Sequence, residues 1–138
     1  MGADGNIYCP ACDVSSALKI DPTTGKCTTF GYAGSLKNKW QGGLLANDGC
    51  VYCIPASGLH VLRIATVEGI PDGQNALQLL GDLPQHKDKW QGGHVGLDGN
   101  LYFIPENGYR VLKVTTPQTH VTLQNGKLPE GDVKIEML

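Results

Sequence analysis

A repeat with an offset of 50 residues is the feature that most constrains the fold of this chain. Residues 37–64 read KNKWQGGLLANDGCVYCIPASGLHVLRI, and residues 87–114 read KDKWQGGHVGLDGNLYFIPENGYRVLKV. A third, shorter copy opens the sequence as ADGNIYCPACDVSSALKIDPTTG. Self-similarity at such a period is typical of repeat architectures, in which each unit packs against its neighbours. The 138 residues therefore predict one domain of three units, at about 1–38, 39–88 and 89–138.

Within each unit the pattern is that of short β-strands. The Asp-Gly pairs at 48–49 and 98–99 separate short apolar stretches, which predicts β-hairpins with type I′ turns. Pro55 and Pro105 are expected to end the following strand, because proline has no N–H to donate to a sheet. A third strand follows in each unit, and a fourth is predicted at KCTTFG, ALQLLG and HVTLQN. No segment has a sustained 3.6-residue period, so an all-β chain of four-stranded antiparallel propeller blades is expected.

The repeat also resembles a known kind of sequence. The combination KWxGG, DGxIYxIP and VLKIDPxTG resembles a β-propeller-type repeat of mostly uncharacterised proteins of unicellular eukaryotes. KWQGG and the DG-x-[VLI]-Y-x-I-P pattern stand twice in this chain, and ALKIDPTTG stands once, in the first unit. The resemblance covers nearly the whole chain and implies a propeller fold. It implies no catalytic residues.

Three blades cannot close a ring, because two blade faces would be left without a neighbour. Two copies would give six blades, within the usual range of about four to eight, so we expect a homodimer that closes a six-bladed propeller. The alternative is that the chain is part of a longer propeller. The terminal segment DVKIEML alternates apolar and polar residues and could supply the strand that the first unit lacks.

Charge and hydropathy exclude several classes of function. Eleven Lys and Arg residues stand against thirteen Asp and Glu, which argues against binding to nucleic acid or to a membrane surface. The beginning MGADGNIY has neither the basic nor the apolar region of a signal peptide. We therefore expect a cytoplasmic protein.

Five cysteines raise the question of a metal site. Cys9 and Cys12 form one CxxC pair, and Cys50 and Cys53 form another. The second pair lies in a predicted strand, where residues three apart point to opposite faces, whereas zinc sites place such pairs on tight turns. Buried free cysteine is the better interpretation, so we expect no metal and no cofactor.

The WQGG segments supply the first candidate site residues. In a propeller the first strand of a blade lines the channel, so Trp40, Gln41, Trp90 and Gln91 are expected near the channel mouth. The indoles could stack on a ligand or could pack between blades, and packing is favoured because every blade joint needs it. The glutamine amides could join blades or anchor a polar ligand.

Other candidates are charged or break the repeat. His94 stands where the other copy has Leu44, and His60 stands near the start of a third strand. Either imidazole could bind a ligand or transfer a proton, although a single satisfied hydrogen bond is the commoner role. Lys39 and Lys89 are expected to be solvated, or to neutralise an anionic ligand.

Two functions remain open from the residues alone. The sequence contains no GxSxG, Walker or GxGxxG motif, and its predicted inner strands carry no carboxylate. This favours a non-enzymatic propeller that binds a small polar ligand or a protein partner at the channel mouth. The alternative is a propeller hydrolase or lyase with a channel site to which His94 contributes, with or without a metal.

Overall fold

The computed structural model describes residues 1–67 and 77–138. In this part of the chain there are eleven β-strands and no helix, and hence no helix long and apolar enough to cross a membrane. The first seven strands are β1 (Ile7–Cys9), β2 (Ala17–Ile20), β3 (Cys27–Phe30), β4 (Trp40–Leu45), β5 (Cys50–Pro55), β6 (Val61–Ala65) and β7 (Leu77–Leu80). The others are β8 (Trp90–Val95), β9 (Leu101–Pro105), β10 (Leu112–Thr115) and β11 (Lys134–Met137).

The strands form three antiparallel sheets in which sequential strands are neighbours. Their orders are β1-β2-β3, β4-β5-β6-β7 and β8-β9-β10-β11, which we call blades 1, 2 and 3. This meander is the arrangement of propeller blades, so the predicted all-β propeller fold is confirmed. Blade 1 has three strands in the described residues, because the sheet contains no strand equivalent to β4 or β8. Pro55 and Pro105 end β5 and β9, as predicted.

The Asp-Gly hairpins differ from the prediction in turn type. Gly49 has φ of 80°, but Asp48 is not in the left-handed region that a type I′ turn requires. Gly49 N–H donates to Ala46 C=O at 3.1 Å, and Ala46 N–H donates to Cys50 C=O at 2.9 Å. This is a type I turn followed by a left-handed glycine. It lets the Asp48 carboxylate accept a hydrogen bond from the Cys50 N–H at 2.9 Å, which explains why the type I′ prediction is wrong.

The fourth strand of blade 3 is also not where the sequence pattern placed it. The segment HVTLQN forms only an isolated bridge between Gln124 and Lys127. Val121 N–H donates to the Asp48 C=O of blade 2, and Val121 and Leu123 pack on the apolar core. The segment therefore lies across the joint between two blades instead of pairing as a strand. The fourth strand is β11, which pairs with β10, so the expectation that the terminal segment completes blade 1 is wrong.

The core lies between the blades. One apolar cluster joins blade 1 to blade 2 around Trp40, and the other joins blade 2 to blade 3 around Trp90. Both indoles are 2% exposed. Since each tryptophan begins the inner strand of its blade, the repeated Trp fixes how one blade packs on the preceding one.

Candidate functional site

The inner strands β4 and β8 present polar side chains to solvent beside a β-bulge. Trp40 pairs with Pro55 and Gly43 pairs with Cys53, so β4 contains one residue more than the strand opposite it. Gly42 takes up the bulge with φ of 73°, a conformation that favours glycine. The same bulge recurs in β8. A Cβ at Gly43 would meet the Tyr52 carbonyl oxygen at 3.1 Å, so the second glycine is needed for the close approach of two backbones.

The two tryptophans are held in the blade joints. Trp40 Nε1 donates to the His60 C=O at 2.8 Å, and Trp90 Nε1 donates to the Arg110 C=O at the same distance. The indole donors are thus bonded within the protein, and the rings are buried. This placement corresponds to the packing alternative for both residues.

Lys39 and Lys89 are buried, so the expectation of solvated lysines is wrong. The Lys39 ammonium donates to the carbonyls of Cys12, Val14 and Leu36 at 3.2, 2.9 and 2.7 Å. Burial lowers the pKa of both lysines, although neighbouring charges partly oppose the shift. The lysines are structural donors that tie one blade to the loop of the preceding blade.

A line of polar groups connects the beginnings of β4 and β8. Asn38 and Asp88 are equivalent residues with φ of 51° and 49°, and Asn38 Nδ2 donates to the Asp88 carboxylate. Asn38 also accepts a bond from Gln41 Nε2 at 2.6 Å and donates to Ser57 Oγ at 3.2 Å. Gln91, equivalent to Gln41, is exposed and has no hydrogen-bond partner among the described side chains. The exposed side-chain amides of Gln41 and Gln91 thus follow closely in sequence on Asn38 and Asp88, which are joined by a hydrogen bond.

The two candidate histidines lie at different places. His94 is exposed on β8, where it pairs with Tyr102 across the hairpin. The His60 ring nitrogen contacts the Gly81 C=O and lies 3.7 Å from an Asp82 carboxylate oxygen. No described contact joins the two histidines. His94 is therefore exposed on the same inner strand as Gln91, whereas His60 directly precedes β6.

An Asp–Tyr–cation set recurs in all three blades and was missed in the sequence. In each blade the tyrosine hydroxyl donates to the aspartate at 2.7 to 2.8 Å, and the cation lies directly opposite the tyrosine on the next strand. The three sets are Asp4–Tyr8–Lys19, Asp48–Tyr52–Arg63 and Asp98–Tyr102–Lys113. The signal was present in the repeat alignment, where Lys19, Arg63 and Lys113 share one column.

The set in blade 2 is fully enclosed. Arg63 donates to Asp48 at 2.8 Å, and both side chains are inaccessible to solvent. Burial and the adjacent Asp48 carboxylate raise the pKa of Tyr52 well above its usual range, so the hydroxyl stays protonated and donates. Burial alone would lower the pKa of Arg63, but the hydrogen bond to Asp132 and nearby anionic groups outweigh it. These groups hold the turn and the sheet together. Among the described residues, the buried Arg63 Nε is the one nitrogen of this guanidinium that has no hydrogen-bond partner.

The cysteines show no shared site. Cys50 and Cys53 are buried, Cys27 is exposed, and all five are free thiols. In residues 1–67 and 77–138, no group of three or more His, Cys, Asp or Glu side chains is arranged to hold a metal ion. Burial raises the pKa of Cys50 to about 12, so this thiol is neutral near pH 7.

Comparison with known proteins identifies the fold only. No protein-family model matches the chain, and no curated protein matches it. It is similar to a solved streptogramin B lyase, with a TM-score of 0.64 and 17% identity over 98% of this chain and 37% of that one. It is also similar to a catalytically inactive histidine-to-alanine variant of virginiamycin B lyase from Staphylococcus aureus with quinupristin, with a TM-score of 0.53 and 19% identity over 90% and 34% of the two chains. The chain thus spans just over a third of the length of these proteins, and at such identities the likeness extends to the fold alone.

Proposed function

We propose that this protein is a non-enzymatic propeller binding module whose ligand or partner docks on the inner strands, at Gln41, Gln91 and His94. The observation that carries the proposal is a difference in exposure between two sets of polar side chains. The repeated Asp, Lys and Tyr side chains bond to groups that hold the blades together. Gln41, Gln91 and His94 are instead exposed on adjacent inner strands, and of these three only Gln41 bonds to a described residue, Asn38. Amides that donate and accept suit a neutral polar ligand.

We further propose that two copies assemble into a six-bladed ring, in which the inner strands of both copies face one channel. Blade 3 supports this because the face of its sheet that is turned away from blade 2 is uncovered. Ile54 in blade 2 is 4% exposed, whereas the equivalent Ile104 in blade 3 is 44% exposed. An apolar face of this kind is covered by a neighbour in a closed propeller.

Light scattering behind a sizing column tests the assembly. A mass near twice 14.7 kDa is the expected result. A mass equal to one chain at every concentration would contradict the two-copy ring.

Side-chain amide NMR tests the binding surface. The probes are a panel of neutral monosaccharides, nucleosides and free amino acids, added to ¹⁵N-labelled protein. We expect at least one probe to shift the side-chain amide signals of Gln41 and Gln91, and we expect Gln91→Ala to weaken its binding. Gln85→Ala is the matched control, because Gln85 is an exposed glutamine outside the inner strands. Shifts that leave both glutamines untouched for every probe would overturn the proposal.

A lyase with a channel site is the second candidate, and two observations favour it. Both similar structures are lyases, and one is inactivated by loss of a histidine. His94 is exposed on an inner strand of the present chain. Incubation with quinupristin, followed by reversed-phase chromatography, tests this candidate. A new product that His94→Ala abolishes would favour the lyase, and unchanged quinupristin would count against it.

A further inference from the structure

We propose that blade 3 carries an unfilled binding site for a Lys-Trp segment of a further blade, of the same kind that joins blades 1 and 2 and blades 2 and 3. We call residues 33–43 and 83–93 head segments, because each leads into the inner strand of its blade. We call the loop that each head segment docks on a socket. The sockets are residues 12–15 of blade 1, 56–59 of blade 2 and 106–109 of blade 3.

The first joint shows how a socket holds a head segment. Lys39 donates from its backbone N–H to the Cys12 C=O at 3.0 Å, and its ammonium donates to the carbonyls of Cys12 and Val14. Seven residues before the tryptophan, Ala33 N–H donates to the Ser15 C=O at 2.7 Å. The socket carbonyls therefore accept hydrogen bonds from two backbone N–H groups of the head segment and from its lysine ammonium.

The second joint repeats these contacts with different residues. Lys89 N–H donates to the Ala56 C=O at 2.9 Å, and its ammonium donates to the Gly58 C=O at 2.9 Å. Leu83 N–H donates to the Leu59 C=O at 2.9 Å. Because the side chains of the sockets differ while the carbonyls are the same, recognition depends on the backbone conformation of the socket.

The socket of blade 3 has that backbone conformation already. In blade 2, Ala56 and Gly58 both donate their N–H groups to the Lys39 C=O at 3.0 Å. In blade 3, Glu106 and Gly108 donate in the same way to the Lys89 C=O, at 2.9 and 3.0 Å. The third socket is thus fixed by its own blade, which lowers the entropic cost of binding.

The acceptors of the third socket have no donor in the described part of the chain. The carbonyls of Glu106, Gly108 and Tyr109 are equivalent to those that bind head segments in blades 1 and 2, and no described residue donates to them. The surrounding face is open as well. Ile54, two residues before the socket of blade 2, is 4% exposed, whereas the equivalent Ile104 of blade 3 is 44% exposed. This is the difference expected between a filled and an unfilled joint.

A cavity of about 200 Å³ adjoins this socket. Gly108, Tyr109, Arg110 and Met137 line it, together with Trp90 of the preceding head segment. Tyr109 is equivalent to Leu59, the residue whose carbonyl binds Leu83 in blade 2. The cavity therefore lies where the beginning of a third head segment would run.

The occupant follows from the two filled sockets. An ammonium group satisfies several carbonyls at once, and an indole fills the apolar face of the joint while its N–H bonds to the blade that it belongs to. Both head segments in the sequence are already docked within the chain, so the occupant is a further segment of this type. The inference does not depend on what binds at the inner strands. In the proposed two-copy ring the same segment would also lie beside β1, whose inner edge has no partner among the described strands.

An extended chain provides the test. In blade 2 only Gly81 and Asp82 separate β7 from the head segment. The sequence GDLPQHKDKWQGG, which is that of residues 81–93, is therefore appended after Leu138, which follows β11. Tethering gives the segment a high effective concentration at the socket. We expect the extension to raise Tm by about 4 °C or more. The same extension, with the lysine before its tryptophan changed to methionine and the tryptophan changed to alanine, is expected to leave Tm unchanged.

Two further measurements locate the effect. Backbone amide signals of residues 106–110 should shift in the extended chain, and those of residues 56–59, whose socket is already filled, should not. Met137→Trp fills the cavity and should remove the gain in Tm. Lys134→Trp is the control, since Lys134 is an exposed residue of the same strand that does not line the cavity. Equal Tm values for the two extensions, or shifts confined to β1, would overturn the proposal. A monomeric mass or an absence of ligand at the inner strands would instead count against the proposed function.

Discussion

The guanidinium of Arg63 donates to both carboxylate oxygens of Asp132, at 2.9 and 3.0 Å, although the two residues are 69 positions apart. Arg63 lies in the middle of blade 2, and Asp132 lies just before the last strand of blade 3. The fork of Arg63 also reaches Asp48, so a buried cation is shared between two carboxylates. This pair holds the long connection of blade 3 against blade 2.

Asp132→Ala should therefore destabilise the fold strongly. The substitution leaves Arg63 buried with one carboxylate fewer, and removal of one partner of a largely buried pair costs about 2–4 kcal/mol. The free energy of unfolding in urea measures the effect. Lys113→Met is the control. Lys113 is the residue of blade 3 that is equivalent to Arg63, and its ion pair with Asp98 is solvent-exposed. A loss as large for Lys113→Met as for Asp132→Ala would contradict this assignment.

Lys89→Met should weaken the joint between blades 2 and 3. The ammonium donates to the carbonyls of Gly58 and His86, which would be left without this donor, at a cost of about 2–3 kcal/mol. The matched control is Lys87→Met, which removes an exposed lysine from the same segment. Chemical unfolding measures the free energy of unfolding of both variants. Equal values for the two variants would show that the buried ammonium does not contribute to stability.

The Asp98 carboxylate should titrate well below its usual range. Hydrogen bonds from the Asn100 side chain, the Tyr102 hydroxyl and the Asn100 N–H lower its pKa from 3.8 to about 2. Because the pKa is lower in the folded state, this contribution to stability is complete above 3.8 and is lost as the pH falls through about 2.

Carbon-detected NMR of the carboxyl group measures this titration. Asn100→Ala and Tyr102→Phe should each raise the pKa, since each removes a donor to the charged form. A wild-type pKa near 3.8 would show that these hydrogen bonds are absent in solution.

The cysteines should differ sharply in reactivity. Cys27 is exposed, whereas burial raises the pKa of Cys50 to about 12 and also raises that of Cys53. The thiolate is the reactive form, so iodoacetamide at pH 8 should modify Cys27 first and should reach Cys50 and Cys53 only after unfolding. Peptide mapping by mass spectrometry measures the order. Labelling of Cys50 in the native protein at the rate of Cys27 would contradict the described burial.

The repeat made much of the architecture predictable. A fixed offset of 50 residues, prolines at the ends of strands and the absence of helical periodicity are local patterns, and they depend only on residues close in sequence. They correctly indicated all-β blades, and Pro55 and Pro105 end their strands as expected. The β-bulge at the glycine pairs, in contrast, became visible only in the register of β4 and β8.

The errors share a physical cause. Lys39 and Lys89 were expected to be solvated because lysine normally is, but each is covered by a loop of the preceding blade. HVTLQN has the alternation of a strand, yet Val121 bonds to the turn of another blade, which competes successfully with strand pairing. Such outcomes depend on partners distant in sequence.

Sequence alone thus determined that the chain repeats, that its units are β-sheets, and which residues recur at each joint. Only the tertiary structure decided that Lys39, Lys89 and both tryptophans bond within the joints and that Arg63 pairs with Asp132. It also decided that Gln41, Gln91 and His94 are exposed. The reason is that periodicity is written into neighbouring residues, whereas burial and pairing of a polar group depend on which surface of another blade it meets.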